Sequence, residues 1–119
     1  MTDYSTITEL DLSNQELIEL PDLSNYTNLK KLNCSNNKLT KLDNLPSTLT
    51  HLDCRHNELT SIDNLPPVLK KLDCSFNNIT SLYNLPLTLR MLICYNNSLI
   101  YNFEPTLENI RKYNLENHK

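Results

Sequence analysis

Four cysteines recur at intervals of 20 residues, and each one closes the same short pattern of leucines. The pattern reads L-x-x-L-x-C, and its copies end at Cys34, Cys54, Cys74 and Cys94. Self-similarity at this period indicates that each copy is one supersecondary unit, which is too small to bury its apolar side alone and is completed by its neighbours. The chain should therefore fold as a solenoid, and its function should be sought on an open surface.

The whole repeat extends this pattern to L-x-x-L-x-C-x-x-N-x-L-x-x-L-x-x-L-P-x-x. Three consecutive copies fill residues 29–88, and a further copy that starts at Leu89 keeps the frame as far as Leu99. Upstream, the apolar residues from Ile7 to Leu20 form a degenerate first copy. We therefore expect a single domain of about five repeats over residues 1–119, with a degenerate first repeat at 1–28, regular repeats at 29–103 and a C-terminal cap at 104–119.

Each position of the repeat has a local structural meaning. Apolar and polar residues alternate up to the cysteine, which is the period-2 pattern of a short strand with one buried face, so residues 31–35 should form such a strand. The asparagine three positions after each cysteine should turn inward and bond backbone groups that lose their partners where the chain leaves the sheet. The proline near the end of each regular repeat fixes φ and lacks a donor, which favours an extended or turn-like return segment.

This pattern resembles the leucine-rich repeat family. The segments LTKLDNLPSTLTHLDCRHNEL and LTSIDNLPPVLKKLDCSFNNI are similar to its short class, in which a 20-residue repeat contains the dipeptide L-P. That class is familiar from bacterial effector proteins, and similar arrays occur in proteins of large DNA viruses. The resemblance covers residues 7–103. Two features depart from the family pattern: cysteine replaces the usual aliphatic residue at the end of the strand, and Asp43, Asp63 and Tyr83 stand where a further proline is common.

The resemblance implies an α/β-type repeat solenoid that is dominated by β structure. A parallel sheet should form its concave face, and the convex side should be irregular and extended. The C-terminal cap should contain a short helix that begins near Pro105, because proline is favoured in the first turn of a helix. The first repeat leaves about six residues to cover its apolar edge, so we expect that end to be less well capped.

The four cysteines are interpreted as buried free thiols in a reducing compartment, because each occupies a position that repetition makes apolar. Two disulfides are the alternative, but bridging adjacent rungs requires the side chains to leave their inward rotamers. A zinc site needs convergent ligands, whereas one cysteine per rung gives a line of sulfur atoms. We expect no metal and no cofactor.

Charge and hydropathy favour a cytoplasmic protein, in the host cytoplasm if the source is a pathogen. The net charge is −3, with 11 basic and 14 acidic side chains, which gives no electrostatic footprint for nucleic acid. The start, MTDYSTITELDL, has neither the basic nor the apolar region of a signal peptide. No apolar run approaches the roughly 18 residues that span a bilayer, so no membrane partner is expected.

The sequence contains no recognisable catalytic motif, and we predict that the chain is not an enzyme. A chain without glycine has no Gly-rich phosphate loop, and no HExxH or CxxC motif is present. Asp53 and Asp73 should be neighbours on adjacent rungs, but an open sheet excludes no water from such a carboxylate pair. His51 and His56 lie near Asp53 in the sequence, yet one should point outward and the other should lie in a turn, so we interpret both as surface histidines.

Strand alternation sends three columns of side chains onto the concave face. They are Glu9, Lys31, His51, Lys71 and Met91; Asp11, Asn33, Asp53, Asp73 and Ile93; and Ser13, Ser35, Arg55, Ser75 and Tyr95. The columns change from mixed charge to apolar along the array, and Phe76 lies just beyond them. The candidate protein-binding residues are Met91, Ile93, Tyr95, Phe76, Lys71, Asp73, His51, Asp53 and Arg55. The alternative for the apolar members is that the C-terminal segment folds back over them.

The preferred function is a non-catalytic protein-protein interaction module that binds a protein partner through the concave sheet face, as the family resemblance implies. The alternative is a structural or self-assembling protein that forms a homodimer through its ends or through the C-terminal apolar residues.

Overall fold

Five short strands and one C-terminal helix make up the regular structure of the chain. The computed structural model describes residues 3–117 of the 119-residue sequence, so residues 1, 2, 118 and 119 of the predicted domain lie outside the described range. The elements are a single-turn 3-10 helix at Tyr4–Thr6, then β1 at Glu9–Asp11, β2 at Lys31–Asn33, β3 at His51–Asp53, β4 at Lys71–Asp73, β5 at Met91–Ile93 and α1 at Leu107–Asn117.

The strands form one parallel sheet in the order β1-β2-β3-β4-β5, so each rung contacts the rungs next to it in the sequence. The register aligns Leu10, Leu32, Leu52, Leu72 and Leu92. Within residues 3–117, the segments that return from one strand to the next contain no helix. The predicted fold, a β-dominated leucine-rich repeat solenoid with a concave parallel sheet and an irregular opposite side, is confirmed.

The core is a column of leucines and cysteines that point inward from every rung. The three repeats over residues 29–88 each bury the leucine that precedes the strand, the leucine within the strand, and the cysteine that follows, whereas Leu92 in the last strand is partly buried. Burial of one such leucine is worth roughly 1.5 to 3 kcal/mol before entropy is deducted. All four cysteines are buried free thiols, as the sequence predicted, so the disulfide alternative is wrong.

A ladder of inward asparagines joins the rungs beyond the strands. The side-chain Nδ2 of Asn77 donates to the carbonyl oxygens of Cys54 and Cys74, at 3.1 and 3.0 Å. Its Oδ1 accepts from the backbone N–H of Leu59 at 3.0 Å. Asn57 makes the equivalent bonds one rung earlier. Each asparagine therefore satisfies backbone groups of two rungs at once, which confirms the predicted inward role.

The turns after the strands use left-handed backbone without any glycine. Positive φ angles of 53° to 58° recur at Asn14, Glu16, Asn36, Asn44, His56, Asn64, Phe76, Asn84 and Asn96. Asparagine tolerates this conformation better than other residues that carry a Cβ, which explains why it dominates these positions. His56 and Phe76 are the exceptions in their column, and a bulky residue there costs of order 1 to 2 kcal/mol. The repeat pattern did not predict this left-handed backbone.

The strands end earlier than predicted, and this changes one of the outward columns. The regular strand ends at residue 33 rather than 35, and the chain then begins to turn, although the amides of Cys34 and Asn36 still donate to the next rung. Ser35 and Ser75, predicted to point outward, are only 2% and 3% exposed. Ser35 Oγ donates to Asn33 Oδ1 at 2.6 Å, and Ser75 Oγ accepts from Tyr95 N at 3.0 Å. Period-2 alternation therefore fails two residues past the strand.

The C-terminal helix closes the apolar end of the array. The Thr106 hydroxyl accepts from Asn109 N at 3.1 Å and caps the first turn. Ile110 is completely buried against the last rung. The side chain of Asn114 donates to Leu82 O at 2.9 Å, and Arg111 donates to Leu89 O at 2.8 Å. The predicted helix near Pro105 is confirmed, two residues later than the proline.

The N-terminal end is covered more thinly than the C-terminal end. The 3-10 turn is capped by Asp3, whose Oδ1 accepts from Ser5 N at 3.0 Å, and the ring of Tyr4 meets the ring of Tyr26 edge-on at 4.9 Å. In the first repeat Leu23 is buried, but Ile7, Leu10, Leu12, Leu17 and Leu20 are only partly buried, whereas their counterparts in the next repeat are buried. The predicted weakness of this end agrees with that difference.

The asparagine ladder gives a stability prediction with an adjacent control. Asn77→Ala should lower the free energy of unfolding by about 2 to 4 kcal/mol, because it leaves buried backbone groups of two rungs without partners. Asn78→Ala, at an exposed neighbour whose side chain makes no such bonds, should change it by less than about 0.5 kcal/mol. Urea denaturation followed by circular dichroism measures both. Equal effects of the two substitutions would contradict the role assigned to the ladder.

The buried thiols predict a loss of stability in alkaline solution. Burial raises the pKa of Cys34 from 9.0 to about 12, with a further contribution from Asp53. As the pH rises, the thiol therefore ionises in the unfolded chain before it does so in the folded chain. The stability that the buried neutral thiol contributes is fully present below pH 9 and declines as the pH rises towards 12. The decline should be about 1.4 kcal/mol per pH unit for this thiol. Cys34→Ala should make the curve of unfolding free energy against pH shallower by that amount, and parallel curves would refute the prediction.

Candidate protein-binding surface

The outward side chains of the first four strands form a polar band across the concave face. Its members are Glu9, Asp11, Lys31, Asn33, His51, Asp53, Arg55, Lys71 and Asp73, and they line a shallow depression of about 600 Å³. Five rungs at the ordinary strand spacing of about 4.8 Å give this sheet a width of roughly 19 Å. The structure therefore brings the five predicted charged or histidine residues of the candidate site together on one side of the molecule.

Two ion pairs occur among the described residues of the polar band. Lys31 Nζ lies 3.5 Å from Glu9 Oε1, and Arg55 Nε lies 3.3 Å from Asp53 Oδ2. Such exposed pairs contribute little stability, typically about 0 to 1 kcal/mol. Lys71 forms no ion pair with any residue between positions 3 and 117. Its charge is therefore available to a partner.

The central residues of the band feel both burial and the neighbouring charges. Partial burial lowers the pKa of His51, and the charges of Lys31 and Lys71 lower it further. The pKa of Asp53 is raised, mainly by loss of solvent and to a smaller extent by repulsion from Asp73, while Arg55 opposes the shift. The predicted neighbourhood of the two aspartates is confirmed by their direct register.

The two histidines do not converge. His51 lies on β3, and its Nδ1 is 2.9 Å from the hydroxyl of Thr50. His56 lies in the following turn, where its ring stacks on Phe76 with centroids 4.2 Å apart and planes 9° apart. No group of three or more His, Cys, Asp or Glu side chains suited to a metal ion occurs in the described part of the chain. The geometry gives no support to an acid-base or metal role.

Four large side chains at the C-terminal end of the sheet form an apolar patch, composed of Phe76, Met91, Ile93 and Tyr95. Phe76 is 45%, Met91 50% and Tyr95 71% exposed, and Ile93 is half-buried. Met91 and Tyr95 remain exposed, so the C-terminal segment does not cover the patch; residues 103–107 line a groove beside it, and α1 packs against the end of the core. The patch continues the polar band, so the concave face carries a charged region and an apolar region side by side.

The ring stack of His56 on Phe76 extends the apolar patch along the rim. Both residues occupy left-handed positions that Asn36 and Asn96 fill in other repeats. Sequence reasoning included Phe76 but missed the stack and the backbone conformation that presents it. The available signal was the departure of two repeats from asparagine at one column, since a bulky residue at a left-handed position carries a cost that calls for a compensating role.

Other exposed apolar side chains lie away from the concave face and were not singled out from the sequence. Leu87 is 94% exposed on the segment that returns from β4 to β5, and Leu115 is exposed on α1. Isolated residues of this kind are ordinary on protein surfaces. In the described segment, no helix has the length and apolarity that crossing a bilayer demands.

Comparisons with known proteins agree with this architecture. The family model described as leucine rich repeats (2 copies) matches residues 5–47, and no curated protein sequence matches the chain. YopM from Yersinia enterocolitica WA-314 is 37% identical, with a TM-score of 0.66, over 72% of this chain and 19% of that one. The LRR domain of a Shigella effector is 34% identical, with a TM-score of 0.73, over 86% of this chain and 46% of that one.

The fold is a solenoid with an open, solvent-exposed sheet face. The matches in sequence and structure show, further, that this fold is that of leucine-rich repeats and that the chain is similar to the leucine-rich repeat regions of bacterial effectors. The chain spans less than half the length of the two effector chains it matches. The similarity to arrays of large DNA viruses stays a prediction.

The electrostatics of the polar band can be checked by titration. Lys71→Glu should raise the pKa of His51, because it removes a cation that opposes protonation and adds an anion that favours it. Lys112→Glu makes the same charge change on α1 and should leave that pKa unchanged. Two-dimensional NMR of the imidazole nitrogens between pH 4 and pH 8 follows both variants. An unchanged pKa of His51 in the Lys71→Glu variant would show that the two side chains do not lie on the same face of the sheet.

Proposed function

We propose that this chain is a non-catalytic interaction module that binds a protein partner through its concave sheet face. The observation that carries the proposal is the exposed apolar patch of Phe76, Met91, Ile93 and Tyr95, which continues the polar band without interruption. Aromatic and large apolar residues surrounded by polar groups are typical of the energetic centre of protein interfaces. A general role in protein interaction agrees with the leucine-rich repeat family.

The partner proposed is a protein rather than a nucleic acid or a membrane surface. The polar band mixes acidic and basic side chains, and Asp53 and Asp73 lie at its centre. A phosphate backbone requires a continuous basic surface, whereas a mixture of charges suits the mixed side chains of a protein. The site of action proposed is the cytoplasm, and the host cytoplasm if the source is a pathogen, because buried free cysteines are compatible with a reducing compartment.

The sheet itself gives the proposed interface its mechanical basis. The outward side chains stand on strands whose register is fixed by the leucine column and the asparagine ladder. A partner that contacts them therefore meets a preorganised surface, and little conformational entropy is lost on binding. Charged residues of the polar band should raise the rate of association and set the orientation, while the apolar patch should provide most of the affinity.

The proposal is tested with a pair of variants that each place a charge on an exposed apolar surface. Ile93→Glu should reduce binding of the partner at least about tenfold, because it puts a carboxylate in the centre of the apolar patch. Leu87→Glu, on the return segment, should bind as the wild type does. Tagged chains are incubated with cell lysate, and the retained proteins are quantified by mass spectrometry. Thermal unfolding confirms that both variants remain folded.

Light scattering at several protein concentrations separates the proposal from its alternative. Binding to a different protein is supported if the chain is a monomer at all concentrations and if a protein captured from the lysate by the wild type and by Leu87→Glu is lost with Ile93→Glu. A dimer that forms with rising concentration, and that Ile93→Glu dissociates, would favour self-assembly. If both variants retain the same proteins as the wild type, the concave face does not take part in the interaction.

A further inference from the structure

The last strand, β5, carries a backbone amide that lacks the partner its counterparts have. The N–H groups of Cys34, Cys54 and Cys74 each donate to a carbonyl oxygen of the following rung, at 2.8, 2.9 and 2.8 Å. The equivalent N–H of Cys94 donates to no atom of residues 3–117. Because the same bond occurs at three earlier cysteines, the group missing at Cys94 is a carbonyl oxygen on a further strand beside β5.

Two more backbone groups of the same rung are left unpaired in the same direction. The amides of Asn36, His56 and Phe76 donate to the following rung at 3.0, 2.9 and 2.8 Å. The amide of Asn96 has no such acceptor within the described range. Lys70 O accepts from the amides of Arg90 and Met91 at 2.8 and 3.1 Å, whereas Arg90 O accepts from no group that the structure describes. The free edge of β5 thus presents these three groups, together with the N–H and C=O of Leu92 inside the strand, in the spacing of a parallel ladder.

The C-terminal helix closes the core without satisfying this edge. α1 anchors its side chains to the return segments, through Asn114 to Leu82 O and Arg111 to Leu89 O. Its own backbone groups bond within the helix, so they are not available to a strand. The core end is therefore covered while the sheet edge beside it stays open, and an open edge is a template for pairing with another chain.

A groove runs between this edge and the segment that leads into α1. It is lined by residues 90–97 on one side and by residues 103–107 on the other, and its volume is about 630 Å³. That volume lies within the range of about 300 to 1,000 Å³ that is typical of ligand sites. The floor is apolar at Leu92 and Leu107, and Cys94 Sγ lies 3.5 Å from Pro105 O.

We propose that the free edge of β5 binds an extended segment of a protein partner, which adds to the sheet as a sixth parallel strand. By analogy with the inner rungs, the segment would donate to Arg90 O from its first two residues and accept from Cys94 and Asn96 at its fourth and sixth. Six residues therefore complete the pairing. This mode, strand addition, gives affinity through the main chain and specificity through alternate side chains.

The surroundings of the edge determine the chemistry of that segment. Side chains two, four and six lie beside Met91, Ile93 and Tyr95 on the concave face, so they should be apolar or aromatic. Side chains three and five face the groove and should be small and apolar. The first lies beside Arg90, which forms no ion pair with the described residues, so it should be acidic. This proposal rests on the proposed function and specifies its partner.

A second copy of the chain does not meet these requirements. Stacking the first rung of another molecule on β5 would set Glu9 and Asp11 beside Met91 and Ile93, which pairs charge with apolar surface. The inward apolar residues of that rung would also need the space that Ile110 and the rest of α1 occupy. A single extended strand fits the edge, and a whole repeat does not.

The test uses the full chain and a synthetic peptide, acetyl-Glu-Ile-Val-Ile-Ala-Tyr followed by two lysines and a fluorophore. Two derivatives carry N-methyl groups, either on residues two and four, whose amides face β5, or on residues three and five, whose amides face away. Fluorescence anisotropy should show that the first derivative binds more than about tenfold more weakly than the parent peptide, because each lost bond costs about 1 kcal/mol and the methyl groups add a clash. The second derivative should bind as the parent does.

Protein variants and hydrogen exchange locate the peptide. Arg90→Glu should weaken binding about fivefold, and Lys30→Glu, at the same repeat position three rungs away, should not. The amides of Cys94 and Asn96 should exchange quickly in the free chain and slowly with the peptide bound. Equal effects of the two N-methyl patterns, or slow exchange of both amides in the free chain, would overturn the proposal. The peptide could instead bind without slowing the exchange of the Cys94 and Asn96 amides, and Ile93→Glu could abolish that binding. The edge proposal would then fail while the concave-face proposal stands.

Discussion

Parallel pairing in a fixed register determines the direction of every side chain in this solenoid. Leucine stands beside leucine from β1 to β5, so one turn of the chain completes the buried surface of the next. A slip of one residue would send the apolar column to solvent and the polar band into the core. The outward polar face and the core are therefore set by the same register, and neither can vary without the other.

Amide side chains take over where the strands end. The inward asparagines bond backbone groups of two rungs, and other asparagines adopt the left-handed turns that glycine would occupy in many proteins. Each asparagine restricts the unfolded chain more than glycine would, which lowers the entropy lost on folding. The high asparagine content is thus a structural requirement of a repeat built without glycine.

Much of this architecture follows from the sequence, and the remainder depends on geometry that a pattern does not contain. The L-x-x-L-x-C frame predicted the core, the parallel sheet and the placement of Met91 and Tyr95 on its outer face, because alternation holds within a strand. It failed at Ser35 and Ser75, since the strand ends two residues earlier than alternation assumes. The frame could not predict the stack of His56 on Phe76 or the unpaired amide of Cys94, because both depend on the three-dimensional contacts between neighbouring repeats.

The helical seal at one end has a consequence for how such a protein can evolve. Because Arg111 and Asn114 bind α1 to the segment between β4 and β5, adding repeats after α1 would leave the helix enclosed between two turns of the solenoid. Duplication of an internal 20-residue module disturbs neither terminus, since each inner rung contacts only its neighbours. Length is therefore free to change from within, and each inserted copy would widen the recognition face by about 4.8 Å.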